Sequence, residues 1–286
     1  MIGSVFGEEC TSCFRISRLP SAAIPIEPRL QSTQIHNLLN HLSTWDLERA
    51  ERIKSFRFNL SGFTFYTSIA KLRLDSLMEV SALEAIRTLR SMRSLNPDPV
   101  EPQKLRIILE AAGKAPSGGN SQPWEFILIT DPMVKRKLRD LVVDGLRVYG
   151  NSNLRIPKEG IDDFLDPSNP VAGMAYGTDR TPVLILACLN TKRAKRLTDE
   201  WSDLEEQANW ASVFPAVQNL LIAARAVSLG TAVSIFPLFK MKELRELFKL
   251  PDYVKPGILV YVGYPSAHFS EPKRSPIESF IHENAW

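Results

Sequence analysis

From about residue 78 the chain settles into a succession of hydrophobic rhythms, each of which predicts an element. In residues 81–92, Leu83, Ile86 and Leu89 recur at helical spacing, which predicts an opening helix with these three on one face. Asn96, Pro97, Asp98 and Pro99 end it in a turn, since a residue before proline is pushed out of the helical region. A second helix from about Glu101 sets Leu105, Ile108, Leu109 and Ala112 at core spacing. Residues 124–130 have the aromatic and β-branched content of a strand, and 131–143 read as a charged surface helix. Residues 182–188 are apolar almost without interruption, the pattern of a strand buried on both faces.

Residues 204–229 predict the most apolar helix. Val213, Val217, Leu220, Leu221, Ala224 and Val227 form one stripe, widened by Ala211, Phe214, Ala216, Ala223 and Leu229. A helix apolar most of the way round must be covered by the domain core or by a second subunit. Pro215 is expected to kink it and Gly230 to cap it. Strands at 231–235 and 258–262 follow, with a short helix at 241–248 between them. Helices and strands therefore interleave around one sheet, in a two-layer or sandwiched arrangement.

Two stretches lack this regularity. Residues 146–180 are rich in Gly, Pro and Asn with little period, which predicts a long loop serving as a lid or binding element. Residues 1–77 read as an N-terminal extension, poorly ordered or loosely helical, ahead of a domain at 78–286. Pro20, Pro25 and Pro28 break its first part, and Ser43 to Glu48 suggest a capped short helix. It has no clean signal-peptide pattern, and no function is assigned to it.

Composition narrows the class. Of 286 residues 44% are hydrophobic, enough for a core. No apolar run approaches the ~20 residues that cross a bilayer, so no membrane partner is expected. A net charge of +3 does not call for nucleic acid. Cys10, Cys13 and Cys188 are too few for a disulfide scaffold and suit a reducing, cytoplasmic compartment. Cys10 and Cys13 have metal or redox spacing but no second pair, so no metal is expected.

Three segments carry candidate chemistry. Arg90-Ser91-Met92-Arg93 offers two guanidiniums and a hydroxyl, a donor set suited to a phosphate dianion; it equally suits a solvated basic helix end. In Pro116-Ser117-Gly118-Gly119-Asn120-Ser121-Gln122-Pro123, paired glycines permit close backbone approach. Ser117, Asn120 and Gln122 supply the donors and acceptors that a flavin's pyrimidine edge requires, though a polar helix-to-strand turn reads alike. Ser234, Ile235 and Phe236 end a strand whose amides can meet a flavin, and Lys273-Arg274 can join the phosphate group; an ordinary core strand and a basic tail are the alternatives.

Taken together, these segments resemble the FMN-dependent nitroreductase superfamily over roughly residues 80–280. The matching stretches are residues 85–93 with 96–100, 115–124, 216–221 leading to Leu229-Gly230-Thr231, and 262–265 before Lys273-Arg274-Ser275-Pro276. The resemblance implies an α+β fold with a central, mainly antiparallel sheet flanked by helices. It also implies a homodimer with one FMN at each of two subunit interfaces. By position, Arg90, Ser91 and Arg93, with Met92 inside the same motif, would grip the FMN phosphate together with Arg274. Ser117 and Asn120, beside Gln122, would reach the flavin from the partner chain, and Ser234, Ile235 and Phe236 would line its ring. Leu89 departs from the pattern, standing where family members often have an arginine.

The resemblance further implies an enzyme that takes hydride from NADH or NADPH and passes electrons to a small organic acceptor, such as a nitroaromatic, quinone or enone, in a ping-pong cycle. No side-chain acid or base is then obligatory, because the flavin carries the chemistry. Residues 234–238 and 273–276 look closest to the iodotyrosine deiodinase-like branch, but residues 146–180 hold no acid, tyrosine and lysine at that branch's spacing. A dehalogenase or flavin-consuming enzyme on the same scaffold, and a non-catalytic FMN-binding protein, are the alternatives.

Overall fold

The computed structural model describes residues 80–286 and, before them, only two strands, β1 (Phe56–Leu60) and β2 (Phe63–Thr67). These two pair antiparallel, a pairing that the sequence pattern does not predict. The capped helix expected at residues 43–48, and Cys10 and Cys13, lie outside the described residues. The chain divides into two units, Met1–Lys71 and Leu72–Trp286.

The elements of the second unit run α1 (Ala82–Thr88), α2 (Pro102–Ala112), β3 (Trp124–Ile129), α3 (Pro132–Ser152), α4 (Ile161–Leu165), α5 (Pro170–Tyr176), β4 (Val183–Asn190), α6 (Ser202–Ala226), β5 (Gly230–Ser234), α7 (Met241–Phe248) and β6 (Val254–Gly263). The four strands form one antiparallel sheet in the order β3-β4-β6-β5. All eight residues of β4 are buried, as its unbroken apolar run predicts. Alternation then sorts them. Val183, Ile185, Ala187 and Leu189 pack into one cluster with Ile108 of α2 and Val213, Val217 and Leu220 of α6. Leu184, Leu186 and Cys188 pack into the other with Leu138 and Val142 of α3, Met174 of α5 and Leu244 of α7. The sheet is thus sandwiched between helical layers, the second of the two arrangements expected. Among the described residues no helix is long and apolar enough to cross a membrane.

Four expectations need correction. The opening helix stops at Thr88 rather than continuing to residue 92. Leu89 is extended (φ −68°, ψ 122°), and the chain runs on beside β5, with Ser91 bridged in parallel to Thr231 and Met92 N–H donating to the Thr231 carbonyl at 2.7 Å. Its apolar spacing does not mark the core either: Leu83 and Ile86 are 79% and 52% exposed, and the buried positions are Ala85 and Thr88.

Residues 146–180 are not one long loop. α3 continues to Ser152 because Leu146 still faces the core. Farther on, Asn169 accepts from the Val171 amide and Pro170 takes the first helical position, which starts α5 and buries Ala172, Met174 and Ala175. The end of α6 also differs: Ser228 takes the left-handed conformation (φ 61°), and Gly230 instead begins β5. A Cβ at Gly230 would meet Leu95, Pro265 and Met92 side chains at 3.0–3.1 Å, so the glycine serves close packing rather than capping.

Candidate functional site

An open cleft of about 580 Å³ lies where the segment after α1 runs along β5. Leu89, Arg90 and Ser91 line it from the extended segment, Gln218 and Leu221 from α6, Thr231, Ala232 and Val233 from β5, and Glu271 and Arg274 from the chain after β6. The extended conformation of residues 89–92 creates the site. Running beside β5 brings this segment to the cleft, where both Arg90 and Ser91 are in the lining.

The electrostatics of the cleft favour an anion. Arg90 donates from Nη2 to the His268 carbonyl at 3.1 Å, while its Nε is buried with no partner among the described residues. A buried donor left unmade is costly, and a ligand oxygen at that position would satisfy it. Arg274 spends one donor on the adjacent Lys273 carbonyl, 3.0 Å away, and has others to offer. The one carboxylate in the lining, Glu271, is bridged at 2.8 Å by Arg87, which also lines the cleft and bridges Glu84 at 2.7 Å. Both bridges are exposed and add little stability, and the shared guanidinium offsets part of the negative charge that faces the same anion. Arg90 with its orphaned Nε, Arg274 and Ser91 form a donor set that suits a phosphate monoester.

Not every expected residue converges there. Arg93 lines a separate cavity of about 320 Å³ with Leu95, Met174 and Arg180, and Met92 between the two cavities is buried. Ser234 and Phe236 are buried as well: Ser234 Oγ accepts from the Phe236 amide at 3.2 Å, and the Phe236 ring packs in the core 5.4 Å from Tyr149. Ile235 is exposed and outside the lining. Thr231, Ala232 and Val233, three residues earlier on the same strand, take the position along the cleft; Gln218 and Leu221 join them. The stretch 216–221 matches the family pattern, but neither Gln218 nor Leu221 by itself signals a flavin or a phosphate.

The loop at residues 117–122 is elsewhere. Gly118–Asn120 form a 3₁₀ turn whose Gly118 amide donates to Ser212 Oγ, in the N-terminal half of α6, at 3.3 Å. Gln122 N–H donates to Ser117 Oγ at 3.0 Å, and Gln122 Nε2 to Asn120 Oδ1 at 3.1 Å, so the three polar side chains are arranged by one another. Gly119, Asn120 and Gln122 all have positive φ (60°, 54° and 47°). Glycine accepts this freely and asparagine at modest cost, but glutamine pays for it, a strain typical of binding loops. The exposed, strained loop and the cleft touch different halves of α6 within one copy of the chain.

Comparisons with known proteins bear on the family and the fold. The profile of the Nitroreductase family matches residues 86–264, from the start of the cleft segment to the end of β6. The chain is 29% identical over 200 residues to rat iodotyrosine deiodinase 1, covering 69% of this chain and 67% of that protein. It is 28% identical over 194 residues to an NADH dehydrogenase of Thermus thermophilus, covering 67% of this chain and 90% of that one. Its fold matches, with a TM-score of 0.53 and 24% identity, a protein of Desulfovibrio desulfuricans described as a nitroreductase and solved in complex with FMN; 73% of this chain and 99% of that one are covered.

Proposed function

The chain belongs to the nitroreductase family, and from that membership we propose that it is an FMN-dependent oxidoreductase. It draws electrons from NADH or NADPH and reduces a small organic acceptor such as a nitroaromatic, quinone or enone. The observation that carries the reading is the buried, unpartnered Nε of Arg90 in a cleft shared with Ser91 and Arg274. Those three would hold the FMN phosphate, with Arg87 bridging Glu271 beside it. Bound there, FMN supplies the hydride-accepting and electron-donating chemistry, which no side chain of this protein has to provide.

The residues of the chain orient the group and shield it. Thr231, Ala232 and Val233 offer a strand edge along which a flat ring can lie, and Leu221 and Ile86 supply apolar contact. Ser117, Asn120 and Gln122 complete the site from a second copy. In favour of that assembly, Leu204, Ala208, Ala211 and Gln218 are exposed along one stripe of α6, and Leu83, Ile86, Phe214 and Ile235 are exposed apolar side chains. Gln218 also lines the cleft, so the stripe that would meet the second copy borders the site.

The deiodinase-like relatives favour a halogenated aromatic as the alternative acceptor, but residues 146–180 hold no acid, tyrosine and lysine at that branch's spacing. Within that stretch α5 packs Ala172, Met174 and Ala175 into the core. The test of the main reading is the visible spectrum of the purified protein, followed without oxygen as NADPH and NADH are added separately. A flavin spectrum bleached by either donor is the expected result. A protein that neither carries nor takes up FMN overturns the proposal, and bound FMN that neither donor bleaches leaves a flavin-binding protein without this activity.

A further inference from the structure

Arg225, in the last turn of α6, is only 7% exposed, and among the described residues it has no carboxylate partner. Its Nε donates to Thr88 Oγ1 at 2.8 Å, and its guanidinium lies 4.0 Å from the centre of the Phe269 ring. Thr88 is oriented for this contact: its hydroxyl donates to the Glu84 carbonyl at 2.7 Å, which leaves lone pairs on Oγ1 for Arg225. A buried guanidinium without a carboxylate is costly. The carbonyl end of α6 and the face of the ring explain how it is tolerated. They do not explain why it stands where it does.

Its surroundings do. Thr88 immediately precedes Leu89, Arg90 and Ser91, all in the cleft lining. Phe269 follows His268, whose carbonyl receives Arg90, and precedes Glu271 and Arg274. Leu221, one turn earlier on α6, lines the same cleft. Arg225 therefore joins α6, through Thr88 and Phe269, to the two segments that supply the anion-binding groups. Its anchor, Thr88, is the residue before Leu89, the position where this chain offers a hydrocarbon and no charge.

We propose that Arg225 is a positioning residue for the phosphate end of the cleft. It holds the Arg90–Ser91 arm against the Arg274 arm and supplies from behind the positive charge that Leu89 does not. The inference rests on the FMN reading and deepens it. A role limited to capping α6 would change the binding of every ligand alike, whereas this role acts on the phosphate alone.

FMN and riboflavin differ only by that phosphate, which makes the pair the decisive probe. Both are titrated by flavin fluorescence against the full chain and its R225M, R225K and T88V variants. R225M is expected to weaken FMN binding about tenfold or more while riboflavin binding stays within about twofold of wild type. R225K, which restores the charge, recovers most of the FMN affinity. T88V, nearly isosteric, weakens FMN about threefold and spares riboflavin; it carries the test by itself if R225M does not fold. Equal losses for both flavins, or no loss for either, overturn the inference. A wild-type protein that binds neither flavin overturns the FMN reading itself, and a wild type that prefers FMN while its variants keep that preference overturns this inference alone.

Discussion

Gly145, in the middle of α3, lies directly against the carbonyl oxygen of Phe236, so that a Cβ at position 145 would sit 1.8 Å from that oxygen. The contact is backbone to backbone, with no flexible side chain that can yield. It brings the end of β5 and the turn beyond it, Phe236–Lys240, tightly onto α3. Since β5 is one wall of the cleft, the depth of this packing sets where that wall stands. G145A is expected to cost about 3 kcal/mol or more, at the upper end of overpacking penalties. Urea unfolding would report it as a lower midpoint at unchanged slope, and an unchanged midpoint would mean that the close approach is not maintained in solution.

Arg90 and Arg274 share the cleft, whereas Arg93 lines a different cavity. The two groups of arginines should therefore separate in binding. R90M and R274M are each expected to weaken FMN about 10- to 100-fold, the value of one charge-assisted hydrogen bond. R93M is expected to cost less than about threefold. Isothermal titration of the three variants decides it. A loss at Arg93 equal to that at Arg90 would show that the motif acts as one cluster, as its sequence spacing suggests.

The elements that could be read from the sequence are those whose apolar pattern meets a single core. α7 lies at residues 241–248 as expected, and β4 is buried along its whole length. α1 misleads because Leu83 and Ile86 keep a helical spacing on a surface that this copy of the chain leaves exposed. α4 and α5 are too short to establish a period, and the only local sign of α5 is Asn169 followed by Pro170. The site divides the same way. Arg90, Ser91 and Arg274 could be picked out as candidates for an anion because charge and hydroxyl chemistry is visible in residue names, and they line one cleft. Thr231, Ala232 and Val233 contribute backbone and shape, which residue names do not show.

Cys188 of β4 is fully buried, and that burial, with a smaller contribution from Glu125, pushes its thiol up to about 12. The thiolate is the reactive species, so Cys188 should resist alkylation at pH 8 to 9 in the folded protein. The sign of the stability effect comes from linkage. The folded-state pKa is raised above the unfolded value of 9.0, so the unfolded chain loses its proton first. This group therefore costs nothing below about pH 9 and withdraws stability progressively as pH rises toward 12. Peptide mapping after iodoacetamide treatment tests the first point. Rapid labelling of Cys188 at pH 8 without unfolding would show that the sheet opens locally.

The exposed stripe on α6 makes the strongest demand on solution behaviour. Leu204, Ala208, Ala211 and Gln218 recur at intervals of three, four and seven residues, which keeps them on one face of the helix. Pro215 and Ile222 continue that face with partial burial. A face of this length with no charged side chain at these positions is suited to another helix rather than to water. Small residues at 208 and 211 would let the two backbones approach closely. A charge placed there should then be excluded from the contact, and A211E is expected to convert a dimer into a monomer, read by sedimentation velocity. Because the loop at residues 117–122 would reach the cleft only from a second copy, the same variant should lose FMN affinity by about tenfold or more. Its circular dichroism should stay unchanged, since Ala211 is exposed within its own copy. Monomers that keep full FMN affinity would show that one chain suffices for the site. The polar loop would then need another explanation for its three positive φ angles.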